Sequence, residues 1–184
     1  NHLGKATPAI KSLDNSDRVI YVSSLSKSLA PGLRLGYMVG PKALIKEARS
    51  LRKLMLRHPP TNIQRTVALF MSRGNYYALM MRMRKAYKER WEVMNQAITE
   101  HLPTCDYTPT AGGSSFWITG PDHLNCKELE LEATRQSIVL ETGDWFYLSE
   151  NPPKNCFRLG FSSIQTHMIE PGIKRIGDII KKIT

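Results

Sequence analysis

The chain has 184 residues, 41% of them hydrophobic and 23% charged, a globular composition that excludes extended disorder and suffices for one core or two modest ones. No apolar run approaches the roughly 20 residues of a membrane helix, and no signal-peptide pattern is present, so a cytoplasmic protein with no membrane partner is expected. The 26 Lys and Arg outnumber the 16 Asp and Glu, giving a formal charge of +10, which suits nucleic acid, anionic ligands or a solvated surface.

The chain opens on Asn1 rather than Met and reads as part of something longer. After the Asp14-Asn15-Ser16-Asp17 turn, Arg18 to Ser24 (RVIYVSS) has the β-branched and aromatic content of a strand. A second strand, Leu33 to Val39, follows the Pro31-Gly32 turn. Pro41 opens a helix at a favoured first-turn position, with Leu44, Ala48, Leu51 and Met55 forming one stripe, and Pro59-Pro60 ends it. Thr61 caps a further helix that runs to about Ser72, before the breaker Arg73-Gly74-Asn75.

The next helix has the most regular pattern in the chain. Tyr76, Met80, Met83, Tyr87, Trp91, Met94, Ile98 and Leu102 recur at steps of three and four, which is core packing rather than a cofactor box. Basic residues are spread along the whole chain. Their densest run, Arg82, Arg84, Lys85, Lys88 and Arg90, interleaves with this stripe and reads as a solvated helix face. Beyond Pro103 strands return: Ser114 to Thr119 (SSFWIT), then a helix from Cys126 to Gln136, strands at Ile138 to Glu141 and Cys156 to Ser162, and a helix from Pro171 to Ile183 striped by Ile173, Ile176, Ile180 and Ile183. There is no internal repeat.

Cys105, Cys126 and Cys156 are odd in number and lack a C-x-x-C pair, so buried reduced thiols are expected rather than disulfides or zinc. His2, His58, His101, His123 and His167 have no ligand spacing and read as surface residues.

The chemistry concentrates in SSLSKSLAPGLRLGYMVGP, residues 23 to 41. A lysine at a strand end, held near other cations and away from water, loses affinity for its proton and becomes nucleophilic enough for a Schiff base. Ser24 and Ser26 offer hydroxyls beside Lys27, and Arg34 offers a fork of donors suited to phosphate. An amine for an aldehyde and donors for a phosphate together suit pyridoxal 5′-phosphate. The same spacing equally describes solvated loop charges among turn-forming serines, and local pattern alone leaves both readings open.

The segment SLSKSLAPGLRLGYMVGP resembles the cofactor-lysine segment of fold-type I, class I/II aminotransferases that use pyridoxal phosphate, and most of all its form in the aminotransferase-like domains of MocR-type GntR transcriptional regulators. There a T-F-S-K-T-L-A-P-G-L-R-L-G-Y run is typical; Ser24 replaces its threonine and Leu25 its aromatic. PAIKSLDNSDRVIYVSSLSK, HPPTNIQ, GNYYALMMRMRKAYKERWEVM, TPTAGGSSFWI and FRLGFSS resemble further blocks of that family, in the family's order, over nearly the whole chain.

The resemblance implies an α/β fold: the end of the large mixed-sheet domain over residues 1–60, then interdomain helices and the small α+β C-terminal domain over 61–184. It implies that Lys27 forms the Schiff base with the cofactor, that Ser24 and Arg34 hold its phosphate with Ser26 nearby, and that Arg158 of FRLGFSS clamps a ligand α-carboxylate. Gly112 and Gly113 fall on the family's substrate-side strand, where they permit either a close ligand approach or a bulge. The acid that pairs with the pyridine nitrogen, the ring-stacking residue and a phosphate-binding helix N-terminus belong to earlier family sequence, so residues 1–184 alone are expected to hold the cofactor poorly or not at all.

Three functions follow as expectations. The first is an effector domain that senses pyridoxal phosphate or an amino acid in a homodimeric regulator, binding DNA through an N-terminal domain outside this chain. The second is an active amino-acid aminotransferase of the 2-aminoadipate or aromatic type. The third, an inert scaffold, is disfavoured by the joint presence of Lys27, Arg34 and Arg158.

Overall fold

A computed structural model describes residues 3–4, 7–58, 60–109 and 112–183. His2, Pro59, and Thr110 and Ala111 of the TAGG segment lie outside them. The chain divides into two compact units, residues 6–83 and residues 84–184 with 1–5.

In residues 6–83 the organising acid is Asp14. Its carboxylate accepts the backbone N–H groups of Ser16, Arg18 and Val19 at 3.0 to 3.2 Å and pairs with Lys11 Nζ at 2.7 Å. These bonds take Arg18 and Val19 out of any ladder. The first strand, β1, is therefore Tyr21–Ser24, shorter than its apolar pattern suggested. It pairs antiparallel with β2, Gly36–Val39, with Tyr21 opposite Val39 and Ser24 opposite Gly36. The second strand also starts late, because Pro31–Leu33 forms a 3-10 turn and Arg34 is left-handed at φ 47°, ψ 39°.

Helix α1, Lys42–Leu56, begins directly after Pro41 as the sequence predicts. Against the rest of these residues none of α1 is buried, and Met55 is 79% exposed. Helix α2, Thr61–Ser72, buries Val67; Thr61 is its first helical residue and Pro60 takes the cap position.

The second half of α3, Asn75–His101, belongs to the other unit and buries Met94, Ala97 and Ile98. The run of basic residues leaves Arg82, Arg84, Lys85 and Lys88 in solvent as expected, but Arg90 is half-buried and donates to the Ser162 carbonyl. Four antiparallel strands follow: β3 Asp106–Tyr107, β4 Ser115–Thr119, β5 Glu141–Thr142 and β6 Cys156–Gly160, in the order β3-β4-β6-β5. Phe116 faces Leu159 and Ile118 faces Phe157 across β4 and β6. These four side chains form one wall of a core filled by Ile98 of α3, Leu129 of α4 (Cys126–Arg135) and Ile173 and Ile176 of α5 (Thr166–Ile183).

Two elements depart from the sequence expectation. The strand expected at Ile138 to Glu141 is reduced to Glu141–Thr142 because residues 137 and 138 cap α4. Ser137 is left-handed at φ 61°, its N–H donates to Thr134, and the Ile138 N–H reaches back to Ala133, the hydrogen-bond pair of a Schellman motif. Helix α5 starts at Thr166 and carries Pro171 inside. Proline forfeits one hydrogen bond there, while Ile169 on the added turn is buried.

All three cysteines are buried and free, and burial pushes the Cys126 thiol up to about 12. His101 corrects the expectation for the histidines. It is half-buried, with Nε2 3.6 Å from Glu170, whereas His58, His123 and His167 are exposed. Among the described residues no helix is long and apolar enough to cross a membrane.

The charge is divided unevenly between the units. Basic residues number thirteen in residues 6–83 and thirteen in the remainder, but only three acids lie in 6–83 against thirteen elsewhere. The basic residues are spread along the chain as the sequence suggested, yet the entire excess of +10 belongs to residues 6–83.

Candidate cofactor and ligand sites

The β1–β2 ladder ends at the residues the sequence singles out. Past the Ser24–Gly36 rung, the Leu25 N–H donates to the Leu35 carbonyl at 2.9 Å. The chain then makes one helical turn, closed by Leu29 N–H to Leu25 carbonyl at 2.8 Å. Ser26, Lys27 and Ser28 ride on that turn, and buried Leu25 anchors it. Arg34 lies on the opposite limb, next to the last rung. Antiparallel pairing thus places Ser24, Ser26, Lys27 and Arg34 at one end of a two-stranded ribbon, while Arg158 belongs to the other unit.

The donors at this end fit an aldehyde with an anionic tail. Lys27 and Arg34 make no ion pair among the described residues. The Ser24 hydroxyl oxygen accepts the Ser26 N–H at 3.2 Å, which leaves its own proton to donate. Ser28 Oγ is buried without a hydrogen-bond partner among the described residues, a condition that costs on the order of 1–3 kcal/mol until it is relieved. Arg34 holds a left-handed backbone that disfavours a non-glycine residue by about 1 kcal/mol or more. Lys27 is exposed, so the withdrawal from water expected of it is not supplied by the turn itself. The residues present fit pyridoxal 5′-phosphate.

Arg158 sits on the face of the four-stranded sheet opposite the core. Alternation along β6 buries Phe157 and Leu159 and leaves Arg158 half-exposed between them. Trp117 of β4 is its direct partner on one side and Glu141 of β5 on the other. Nη2 of Arg158 lies 2.5 Å from Oε2 of Glu141, and the guanidinium carbon stands 5.3 Å from the Phe146 ring centroid. Phe146 in turn meets Trp117 edge-on at 5.4 Å. Cation–π contact of this kind contributes about 0.5–1 kcal/mol at exposed sites, and the aromatic pair fixes the plane on which the guanidinium rests.

Arg158 is shared by two clefts. One, of about 350 Å³, also has Thr108, Ser115 and Trp117 in its wall; the other, of about 550 Å³, adds Glu141, Ser163 and Arg175. Beside β5, Asp144 accepts the Thr142 hydroxyl at 2.6 Å and pairs with Lys127 at 3.1 Å. Both interactions, the first more strongly, hold its carboxyl below the usual range.

Sequence reasoning missed Ser28, Glu141, Trp117 and Phe146. Ser28 was legible as a third hydroxyl beside Lys27. The other three were not, because each meets Arg158 through strand register or a turn 12 to 41 positions away.

Comparison with known proteins follows the same pattern. The family model for aminotransferase class I and II matches residues 2–176. The HTH-type transcriptional regulator TauR of Rhodobacter capsulatus is 42% identical over 179 residues, 97% of this chain and 37% of the regulator. An uncharacterized aminotransferase of Saccharolobus solfataricus is 32% identical over 97% of the chain and 44% of its own length. Among solved structures, the Pyrococcus horikoshii kynurenine aminotransferase superposes with a TM-score of 0.90 at 31% identity, covering 98% of this chain and 45% of that one. The chain therefore spans less than half the length of these relatives, and the α/β architecture is that of part of a fold-type I aminotransferase. Pyridoxal 5′-phosphate is the cofactor that this kinship implies. Matched by that family model over residues 2–176, the chain belongs to the aminotransferase class I and II family.

Proposed function

We propose that the chain is the C-terminal part of a pyridoxal-phosphate-binding effector domain in a GntR/MocR-type transcriptional regulator, which senses the cofactor or an amino acid. The observation that carries this reading is the 42% identity to a regulator over 97% of the chain. Three further regulators of Bacillus subtilis, 29–31% identical, support it. The regulator works as a cytoplasmic homodimer and binds DNA through an N-terminal domain outside these residues.

In this reading Lys27 holds the cofactor through Nζ, while the Ser24 hydroxyl and the Arg34 fork bind its phosphate, with Ser26 ordering Ser24 through its N–H. Arg158 takes the ligand carboxylate, and its two parallel N–H groups fix the ligand's orientation. When bound, the cofactor supplies an electrophilic carbon and an electron sink. Ligand control of DNA binding needs different affinities for two states of the dimer.

The second reading, an amino-acid aminotransferase of the 2-aminoadipate or aromatic type, uses the same Lys27, Arg34 and Arg158 and is favoured by one observation: the 32% identity to an aminotransferase over 97% of the chain. There Lys27 Nζ, once released, moves the proton from the ligand Cα.

Full-length protein decides between them. The expected outcome is a borohydride-trappable cofactor on Lys27 that Lys27→Ala abolishes, together with DNA binding that shifts when an amino acid is added. Rapid half-reactions with amino acids, and no DNA binding, would overturn the regulator reading in favour of the enzyme.

A further inference from the structure

The carboxylate beside Arg158 has no part in the function proposed above. Glu141 is the direct cross-strand neighbour of Arg158, its Oε2 lies 2.5 Å from Nη2, and both side chains are partly open to solvent at 50% and 36%. An arginine that recognises a carboxylate does so through a fork of parallel donors. Here an internal carboxylate already lies against one of those nitrogens. The guanidinium does not need Glu141 for its placement, because the β6 register and the Phe146 ring already hold it.

We propose that Glu141 is a specificity-determining residue: a built-in competitor for the Arg158 clamp that lowers its affinity for every anionic ligand, and most of all for ligands with a second negative charge. The inference rests on the reading of Arg158 as a carboxylate clamp. In the larger cleft Glu141 and Arg158 share one wall, so an anion that reaches the guanidinium from there meets the Glu141 charge beside it. A monocarboxylate displaces or shares with Glu141 once. A dicarboxylate keeps a second charge near it, with Arg175 as the only other basic side chain in the wall of the larger cleft among the described residues. The site therefore selects ligands with a single acidic group, which within the second reading disfavours the 2-aminoadipate type and leaves the aromatic one.

The test uses full-length, cofactor-loaded protein and two carboxylates that cannot react with the cofactor, propionate and glutarate, with dissociation constants measured by calorimetry. In Glu141→Gln, propionate binds about fivefold tighter, the scale of one partly exposed ion pair, and glutarate gains by a larger factor. Arg158→Lys weakens both probes, and adding Glu141→Gln to it restores neither. If Glu141→Gln leaves both affinities unchanged or weakens them while Arg158→Lys abolishes binding, Glu141 is no competitor and the clamp stands. If Arg158→Lys binds both probes like the parent, the clamp reading itself falls and this inference with it.

Discussion

At the scale of single residues, Arg34 and Asp14 carry the sharpest consequences. Arg34 holds a left-handed backbone, φ 47°, that glycine adopts without strain. Arg34→Gly should therefore stabilise residues 6–83 by roughly 1 kcal/mol in chemical denaturation, while, on the proposed role of Arg34 in holding the phosphate, the affinity for pyridoxal phosphate falls at least about tenfold. A stabilised variant with parental cofactor affinity would show that the strain serves something other than phosphate binding. Asp14 is different, because its role lies in the fold. Its side chain is only 2% exposed, and the Lys11 contact, followed by the Val19 N–H, holds its carboxyl well below the usual carboxylate range. A carboxyl whose folded value lies below its unfolded value of about 3.9 contributes stability that is fully present above pH 4 and is lost as pH falls through the folded value. Asp14→Asn should lower the urea midpoint at pH 7, and the gap from the parent should narrow as pH drops from 5 toward 2.

At the scale of elements, α5 offers two glycines with opposite expectations. A Cβ on Gly177 would strike the backbone carbonyl of His101 where α5 meets the end of α3, whereas a Cβ on Gly172 meets nothing within 4 Å. Gly177→Ala should cost about 1–3 kcal/mol through overpacking despite its better helix propensity. Gly172→Ala should gain up to about 1 kcal/mol from propensity alone. Thermal melts of the two variants decide the matter, and a stabilised Gly177→Ala would contradict the packing described. The same helix marks a limit of local pattern. Its isoleucine stripe was legible, but its start was not, since Pro171 is a good helix opener and only the burial of Ile169 explains the added turn. At α4 the misread strand has a comparable cause: a serine in the left-handed cap position, where glycine would have announced the motif.

At the scale of the whole molecule, the two units differ in how they bury apolar surface. Residues 84–184 enclose a continuous core between the sheet and α3, α4 and α5, whereas α1 buries nothing. Local opening energies follow buried contacts, so amide hydrogen exchange in this chain should be slowest in β4, β6 and α5 and fastest, among the helices, in α1. Protection of α1 equal to that of β6 would contradict this ordering. The division of charge runs along the same boundary, with the net +10 carried by residues 6–83.

The sequence by itself determined the helices, the lysine turn and the family. Helical periodicity and turn chemistry are local, and Ser24, Lys27 and Arg34 lie within eleven positions of one another around a single Pro-Gly turn. Tertiary structure alone decided what surrounds Arg158. Its neighbours Trp117, Glu141 and Phe146 arrive by antiparallel register and by a turn after β5, and register depends on which strands share a core, which no short stretch of residues records. The competing carboxylate at Glu141 is visible only once β5 and β6 lie side by side.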